Sequence, residues 1–184
     1  MMRTTTSTIA ADGRYSRPAM FFHWSLALLI PIQIGLGWYM VSIEEQPGSD
    51  RYFALHISLG LTAALLVALR LVGRRANPPN PLTGAMPAWQ LKAARTSHAL
   101  LYGLMLLMPL TGYIGASFSG DPVAYFGLPL PAWAAKNDAL KAQFFTAHSV
   151  IAWLFVAMIV AHVLAALKHL LVDKDTVFWR MWPR

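Results

Sequence analysis

Six histidines are the residues of this chain most able to do chemistry, because they lie in or beside long apolar runs. Ionisable side chains are costly inside a membrane and usually have a function there. One isolated membrane histidine is as readily a hydrogen-bonded packing residue, but six together favour a functional cluster. They are His23, His56, His98, His148, His162 and His169.

The spacing of two of these histidines predicts two separate sites. His148 and His162 are 14 residues apart in one apolar run. On a helix they would lie about 40° apart in rotation and about 21 Å apart in rise. They therefore share a face but cannot share one small metal ion, and each needs a partner from another helix at its own depth.

Four charge-free runs are long enough to be the helices that position these residues. They cover residues 18–43, 52–69, 96–120 and 142–167, and about 18 apolar residues suffice for a membrane span. We expect spans at about 18–43, 52–72, 96–118 and 142–170. Strands of a membrane barrel would be shorter and alternating, so the predicted fold is all-α, an integral membrane four-helix bundle.

Composition supports this class and excludes several others. Hydrophobic residues make up 57% of the 184 residues and charged residues 12%, with mean hydropathy +0.47. An intrinsically disordered chain would have low hydrophobicity and a high share of charged residues, so disorder is excluded. The chain has no cysteine, which excludes a disulfide framework, a thiolate zinc site, an iron–sulfur cluster and a c-type haem attachment motif.

The basic residues predict the orientation of the bundle. Twelve of the 15 lysines and arginines fall in the N-terminal segment, residues 70–95 and the C-terminal segment. The positive-inside rule therefore places both termini in the cytoplasm. The net charge of +7 is then a topology signal, and no separate basic domain is available to bind nucleic acid.

We expect residues 1–14 to be a mobile tail that is not a secretory signal, and residues 15–184 a single domain. The outer segment 117–141 is expected to lie on the membrane surface.

Depth supplies the partners that the two sites need. His23 and His162 both fall in the inner half, and His56 and His148 both fall in the outer half. Facing imidazoles can bind the two axial positions of a haem iron. Zinc usually takes three or four close ligands, and no carboxylate lies inside a span. A proton relay remains an alternative, although it usually recruits Asp or Glu.

Other residues of the spans are compatible with a bound cofactor. Arg70 lies 14 residues after His56, and it could either pair with a haem propionate or snorkel to the interface. Small residues could make room for a flat cofactor or allow close helix packing. These are Gly35, Gly37, Gly60, Gly103, Gly112 and Gly115.

The combined pattern resembles the prokaryotic cytochrome b561 family of four-helix di-haem membrane proteins, from about Tyr15 to Arg184. The motifs that carry the resemblance are Arg14–Pro18 before His23-Trp24, His56 with Gly60 and Arg70, Ser97–Tyr102, Phe126–Pro129, the His148/His162 spacing, and Lys174–Thr176 with Arg180–Arg184.

This resemblance implies two stacked haem b groups in a bacterial inner membrane. It assigns His23 and His162 to the inner haem iron and His56 and His148 to the outer one. His169 would suit a quinone headgroup. His98 is left over, with interfacial packing or a propionate contact as its expected role.

The resemblance suggests two classes of function. One is a superoxide oxidase that passes electrons from superoxide to ubiquinone. The other is an electron-transfer subunit linking a periplasmic redox protein or dehydrogenase to quinone. A third possibility is a haem-free membrane bundle, which a visible redox difference spectrum would test. For the first class, Lys136 and Lys141 are candidates for a superoxide entrance, although three basic face five acidic residues on the outer side.

Overall fold

Four long helices make up most of the fold. A computed structural model describes residues 13–78 and 86–183. The helices are α1 (Arg17–Ser42), α2 (Asp50–Ala76), α3 (Ala88–Ser117) and α4 (Asp138–Lys168). A π-helical segment (His169–Asp173) continues α4, and a short 3₁₀ helix follows (Phe178–Arg180). Two short strands, β1 (Ala124–Tyr125) and β2 (Leu128–Pro129), lie between α3 and α4.

The four helices are built for a lipid environment. Each is long and apolar enough to cross a bilayer. Many large apolar side chains point outward, such as Leu28 at 68% exposure and Trp153 at 63%. Such a surface would be a liability in water but suits hydrocarbon. The chain is therefore an integral membrane four-helix bundle, as its charge-free runs predicted.

Side-chain caps begin two of the helices. The Ser16 hydroxyl accepts a hydrogen bond from the Ala19 amide at the start of α1. The Asn137 side-chain oxygen accepts one from the Leu140 amide at 3.0 Å, which begins α4. Each cap satisfies an amide that has no partner within its helix.

Neighbouring helices pack in chain order. α1 lies along α2, α2 along α3, and α3 along α4. The first and last helices also approach each other, with the rings of Trp38 and Trp153 centred 5.4 Å apart. The apolar side chains that the described helices bury are Leu26, Val67, Leu101, Ala116 and Phe155.

The outer segment between α3 and α4 contains a hairpin that packs against α2. Its two-residue turn has positive φ at Phe126 (45°) and Gly127 (85°), as a type I′ hairpin turn requires. The Phe126 amide donates to Ser58 Oγ at 2.9 Å. Ser58 is eight residues inside α2, about 12 Å along its axis. The hairpin therefore folds back beside α2, whereas the sequence predicted only that this segment lies on the membrane surface.

Both ends of the described chain meet at one end of the bundle. The Tyr15 amide donates to Arg180 O, and Arg180 Nε donates to Gly13 O at 2.8 Å. Trp24 Nε1 donates to Met181 O at 2.7 Å. Most of the predicted tail, residues 1–14, lies outside the described residues, and so do residues 79–85 of the loop between α2 and α3.

Candidate haem-binding site

Two pairs of histidines face each other across the bundle. In the outer pair, His56 of α2 and His148 of α4 have ring centres 6.2 Å apart. In the inner pair, His23 of α1 and His162 of α4 have ring centres 6.4 Å apart. We keep these two names, which follow the sides predicted from the charge distribution. The structure thus brings together the residues that their expected depth in the membrane paired.

Both separations fit a metal ion held between two imidazoles. Each metal–nitrogen bond is about 2 Å and each ring nitrogen lies about 1 Å from its ring centre, so two axial imidazoles are centred about 6 Å apart. All four rings are partly buried. Each pair therefore offers two imidazoles that would hold one haem iron between them.

Helix α3 orients the ring of His148. Its Nδ1 lies 3.0 Å from Met108 O and 3.1 Å from Thr111 Oγ1. A carbonyl can only accept, so Nδ1 carries the proton and Nε2 is the nitrogen available to a metal. Such hydrogen bonds select the tautomer of a ligating histidine.

His56 is held differently. Its Nδ1 is buried, and the described residues provide no hydrogen-bond partner for it. Gln33 Nε2 donates instead to the backbone carbonyl of His56 at 2.9 Å. Gly60 lets the Gln33 side chain approach, because a Cβ there would stand 3.1 Å from Nε2. The turn that carries His56 is therefore tied to α1.

Two glycines stand directly against the outer pair. A Cβ at Gly37 would lie 3.2 Å from Cε1 of His56, and one at Gly112 would lie 3.0 Å from Cε1 of His148. By contrast, no atom of the described residues lies within 4 Å of an added Cβ at Gly35 or Gly103. Of the glycines singled out in the sequence, these two make room for the histidine rings.

A third imidazole lies at the inner level. The ring of His98, on α3, is centred 5.6 Å from that of His162. The sequence left His98 without a partner because the rotation of α3 could not be predicted. His98 lies one turn before Tyr102, so the two share a face of α3. Since Tyr102 contacts Arg70, this spacing is the signal that could have placed His98 near the inner pair.

Arg70 joins three helices beside the inner pair. Its Nε donates to Tyr102 Oη at 2.9 Å and its Nη1 donates to Ala19 O at 2.8 Å. Ala19 is one turn before His23 on α1. The guanidinium is half-buried, so it is not simply an exposed interfacial charge.

His169 lies one helical repeat beyond the inner pair. It follows His162 by seven residues, which places both on nearly one face of α4. Its Nδ1 is 2.7 Å from Asp175 Oδ2 and 3.3 Å from Asp173 Oδ2. The two carboxylates come from the chain just after α4, and the sequence analysis did not include them in a site.

The two candidate lysines of the outer side differ in setting. Lys136 is exposed and forms an ion pair of 3.8 Å with Asp138. Lys141 is half-buried on α4, seven residues before His148 and so on nearly the same face, about 10 Å away along the axis. Lys141 is therefore the better placed of the two for a role at the outer pair.

Comparison with known proteins decides the family. Residues 14–184 match the family described as prokaryotic cytochrome b561. The chain belongs to the prokaryotic cytochrome b561 family. It is thus a multi-pass inner-membrane protein of a family that transfers electrons, and membership implies haem b. The four histidines of the two pairs fit that group.

Three relatives are similar to this chain over nearly its whole length. Cytochrome b561 homolog 2 of Escherichia coli is 34% identical, over 91% of this chain and 90% of its own length. Cytochrome b561 homolog 1 of the same organism is 29% identical, over 94% and 98%. A protein named probable superoxide oxidase CybB, from Yersinia pestis, is 28% identical, over 93% and 97%.

Proposed function

We propose that this protein binds two haem b groups and carries electrons from superoxide to ubiquinone as a superoxide oxidase. The observation that carries the proposal is the pair of cross-helix histidine contacts, centred 6.2 and 6.4 Å apart and separated by 14 residues along α4. His56 and His148 are the proposed ligands of the outer haem iron. His23 and His162 are the proposed ligands of the inner one.

The chemistry of such a centre suits electron transfer. A haem b with two histidine ligands has no open iron position and supplies outer-sphere, one-electron transfer. In the overall reaction, two superoxide anions each lose one electron and leave as oxygen. One ubiquinone takes up the two electrons and two protons and becomes ubiquinol.

Residues at the inner level would hold the propionates and the quinone. Arg70 keeps its guanidinium in place through Tyr102 and Ala19 O, and we assign it to a propionate, since paired charges of this kind form strong hydrogen bonds. His169 is assigned to the quinone headgroup as a hydrogen-bond donor. With both termini in the cytoplasm, the quinone lies on the cytoplasmic side, from which it takes up its two protons.

Residues at the outer level would admit superoxide. Lys141 is the better candidate for steering the anion, since Lys136 is already paired with Asp138. Electrostatic steering raises the association rate of a charged substrate and weakens with salt. The relative named as a probable superoxide oxidase supports this substrate.

The outer charge also favours a second candidate function, electron exchange with a periplasmic redox protein or dehydrogenase. Five acidic side chains face three basic ones on this side, which suits a basic protein better than a small anion. The hairpin adds exposed apolar side chains, Phe126 at 58% and Leu128 at 67%, of the kind that protein contacts use.

One assay separates the two functions. Purified protein in detergent is given enzymatically generated superoxide and a short-chain ubiquinone, and ubiquinol formation is followed with and without superoxide dismutase. A superoxide oxidase forms quinol at a rate that the dismutase abolishes. Haem that is reduced by dithionite and reoxidised by quinone, yet is not reduced by superoxide, would exclude superoxide as donor and favour the protein partner.

A further inference from the structure

The chain leaves α4 through an unusual turn that brings a carboxylate back onto His169. The π-helical segment His169–Asp173 is followed by Lys174 in the left-handed region, with φ 51°. The Asp175 amide then donates to His169 O at 3.2 Å. π-Helical turns within longer helices are frequent at functional sites.

Both carboxylate oxygens of Asp175 are engaged. Oδ1 accepts a hydrogen bond from the Val177 amide at 2.9 Å, and Oδ2 lies 2.7 Å from His169 Nδ1. The backbone thus fixes one oxygen while the other meets the imidazole. This is a rigid support for the ring and not a chance contact between two flexible side chains.

The neighbouring carboxylate is engaged elsewhere. Asp173 Oδ2 lies 3.3 Å from His169 Nδ1, farther than that of Asp175, and it forms an ion pair with Lys168. Asp173 therefore has a cationic partner of its own. It offers a natural control, since it is a second aspartate beside the same ring with a different partner.

We infer that Asp175 is a positioning residue for His169 in quinone reduction. A carboxylate only accepts, so Nδ1–H of His169 donates to Asp175 and Nε2 becomes the nitrogen that faces a quinone carbonyl. When the ring carries two protons, Nε2–H donates to the carbonyl oxygen, and Asp175 balances the positive charge. This inference rests on the proposed function, which places the quinone at His169.

The proton balance is straightforward. Ubiquinone gains two electrons from the reduced protein and two protons. One proton passes from His169 Nε2 to one carbonyl oxygen, and the other reaches the second carbonyl oxygen from the inner aqueous phase. The ring then keeps the Nδ1 proton that is bonded to Asp175 and recovers the other from the inner aqueous phase. Carboxylate–histidine pairs elsewhere use the same arrangement to orient an imidazole.

The test follows reoxidation of the dithionite-reduced, haem-loaded protein by a short-chain ubiquinone in stopped flow, so it requires no superoxide. Asp175→Asn should lower the maximal rate about tenfold or more, by analogy with the hydrogen-bond partners of metal-ligating histidines, with little change in the half-saturating quinone concentration. Haem content and visible spectrum should stay as in the wild type. Asp173→Asn should slow the reaction less than Asp175→Asn does, because its carboxylate lies farther from Nδ1 and is paired with Lys168, and Asp175→Glu should be faster than Asp175→Asn.

A double-mutant cycle shows whether Asp175 acts through the ring. His169→Ala with Asp175→Asn should be no slower than His169→Ala alone, since the two act as a unit. A wild-type rate in Asp175→Asn, or additive losses in the double variant, would overturn the inference while leaving quinone binding at His169 intact. A wild-type rate in His169→Ala would overturn both.

Discussion

At Gly112 the backbone of α3 lies so close to the ring of His148 that an added Cβ would stand 3.0 Å from Cε1. The ring cannot easily retreat, because Met108 O and Thr111 Oγ1 both contact its Nδ1. The glycine therefore sets the position of a proposed haem ligand as directly as the hydrogen bonds do.

Gly112→Ala is expected to displace His148 and weaken the outer haem. Since alanine favours the helix by about 1 kcal/mol over glycine, the helix itself should not unfold. Haem per protein, measured as the pyridine haemochrome, should fall from about two towards about one. Gly103→Ala is the matched control on α3, because in the described part of the chain no atom lies within 4 Å of its added Cβ. Full haem content in Gly112→Ala would show that the ring tolerates the methyl group.

Ser58→Ala is expected to loosen the outer hairpin. Ser58 is 2% exposed and its hydroxyl accepts a hydrogen bond from the Phe126 amide, so the substitution removes this bond between hairpin and helix, at a cost of about 0.5–1.5 kcal/mol. Thermal unfolding in detergent and limited proteolysis of residues 118–137 measure the effect. Ser42→Ala is the control, because Ser42 is exposed and its hydroxyl donates within its own helix, to Tyr39 O. Equal behaviour of the two variants would refute this role.

Arg70→Gln is expected to lower the reduction potential of the inner haem. Removing a nearby positive charge stabilises the oxidised state, and about 1.4 kcal/mol corresponds to about 59 mV for one electron. Redox titration of the visible bands should show one component shifted and the other unchanged. Arg75→Gln, at an exposed position near the end of the same helix, should leave both components in place. An unshifted titration in Arg70→Gln would exclude the propionate assignment.

Lys141→Glu is expected to slow haem reduction by superoxide more than Lys136→Glu does. Lys141 shares a face of α4 with His148, whereas Lys136 is paired with Asp138. The difference from the wild type should shrink as salt rises, since steering is screened. Lys174→Glu, at the opposite end of the bundle, should have no effect on this step. Rates independent of both charge and salt would rule out electrostatic steering.

The helices and the two histidine pairs could be predicted because they depend on long-range regularities of the sequence. Charge-free runs mark the spans, and the 14-residue spacing of His148 and His162 follows from helix geometry alone. The partners His23 and His56 follow from alternating helix direction. The pairing needed no knowledge of how the helices rotate about their axes.

The features that escaped prediction depend on local geometry. Strands of two residues are too short to show the alternation of apolar and polar residues that predicts a β-strand. The hairpin that contacts Ser58 was therefore not predicted. The approach of His98 to His162 depends on the rotation of α3. Asp175 reaches His169 only because the chain leaves α4 through a π-helical turn and a left-handed Lys174. The residue types in this turn do not predict a π-helix or a left-handed lysine.

Haem stoichiometry in single histidine variants tests the central claim most directly. The wild type should bind two haem b groups per chain. His56→Ala and His148→Ala should each lose the same spectral component, His23→Ala and His162→Ala should each lose the other, and His98→Ala should keep both. Retention of two haems in any of the four ligand variants, or loss of different components by His56→Ala and His148→Ala, would contradict the pairing.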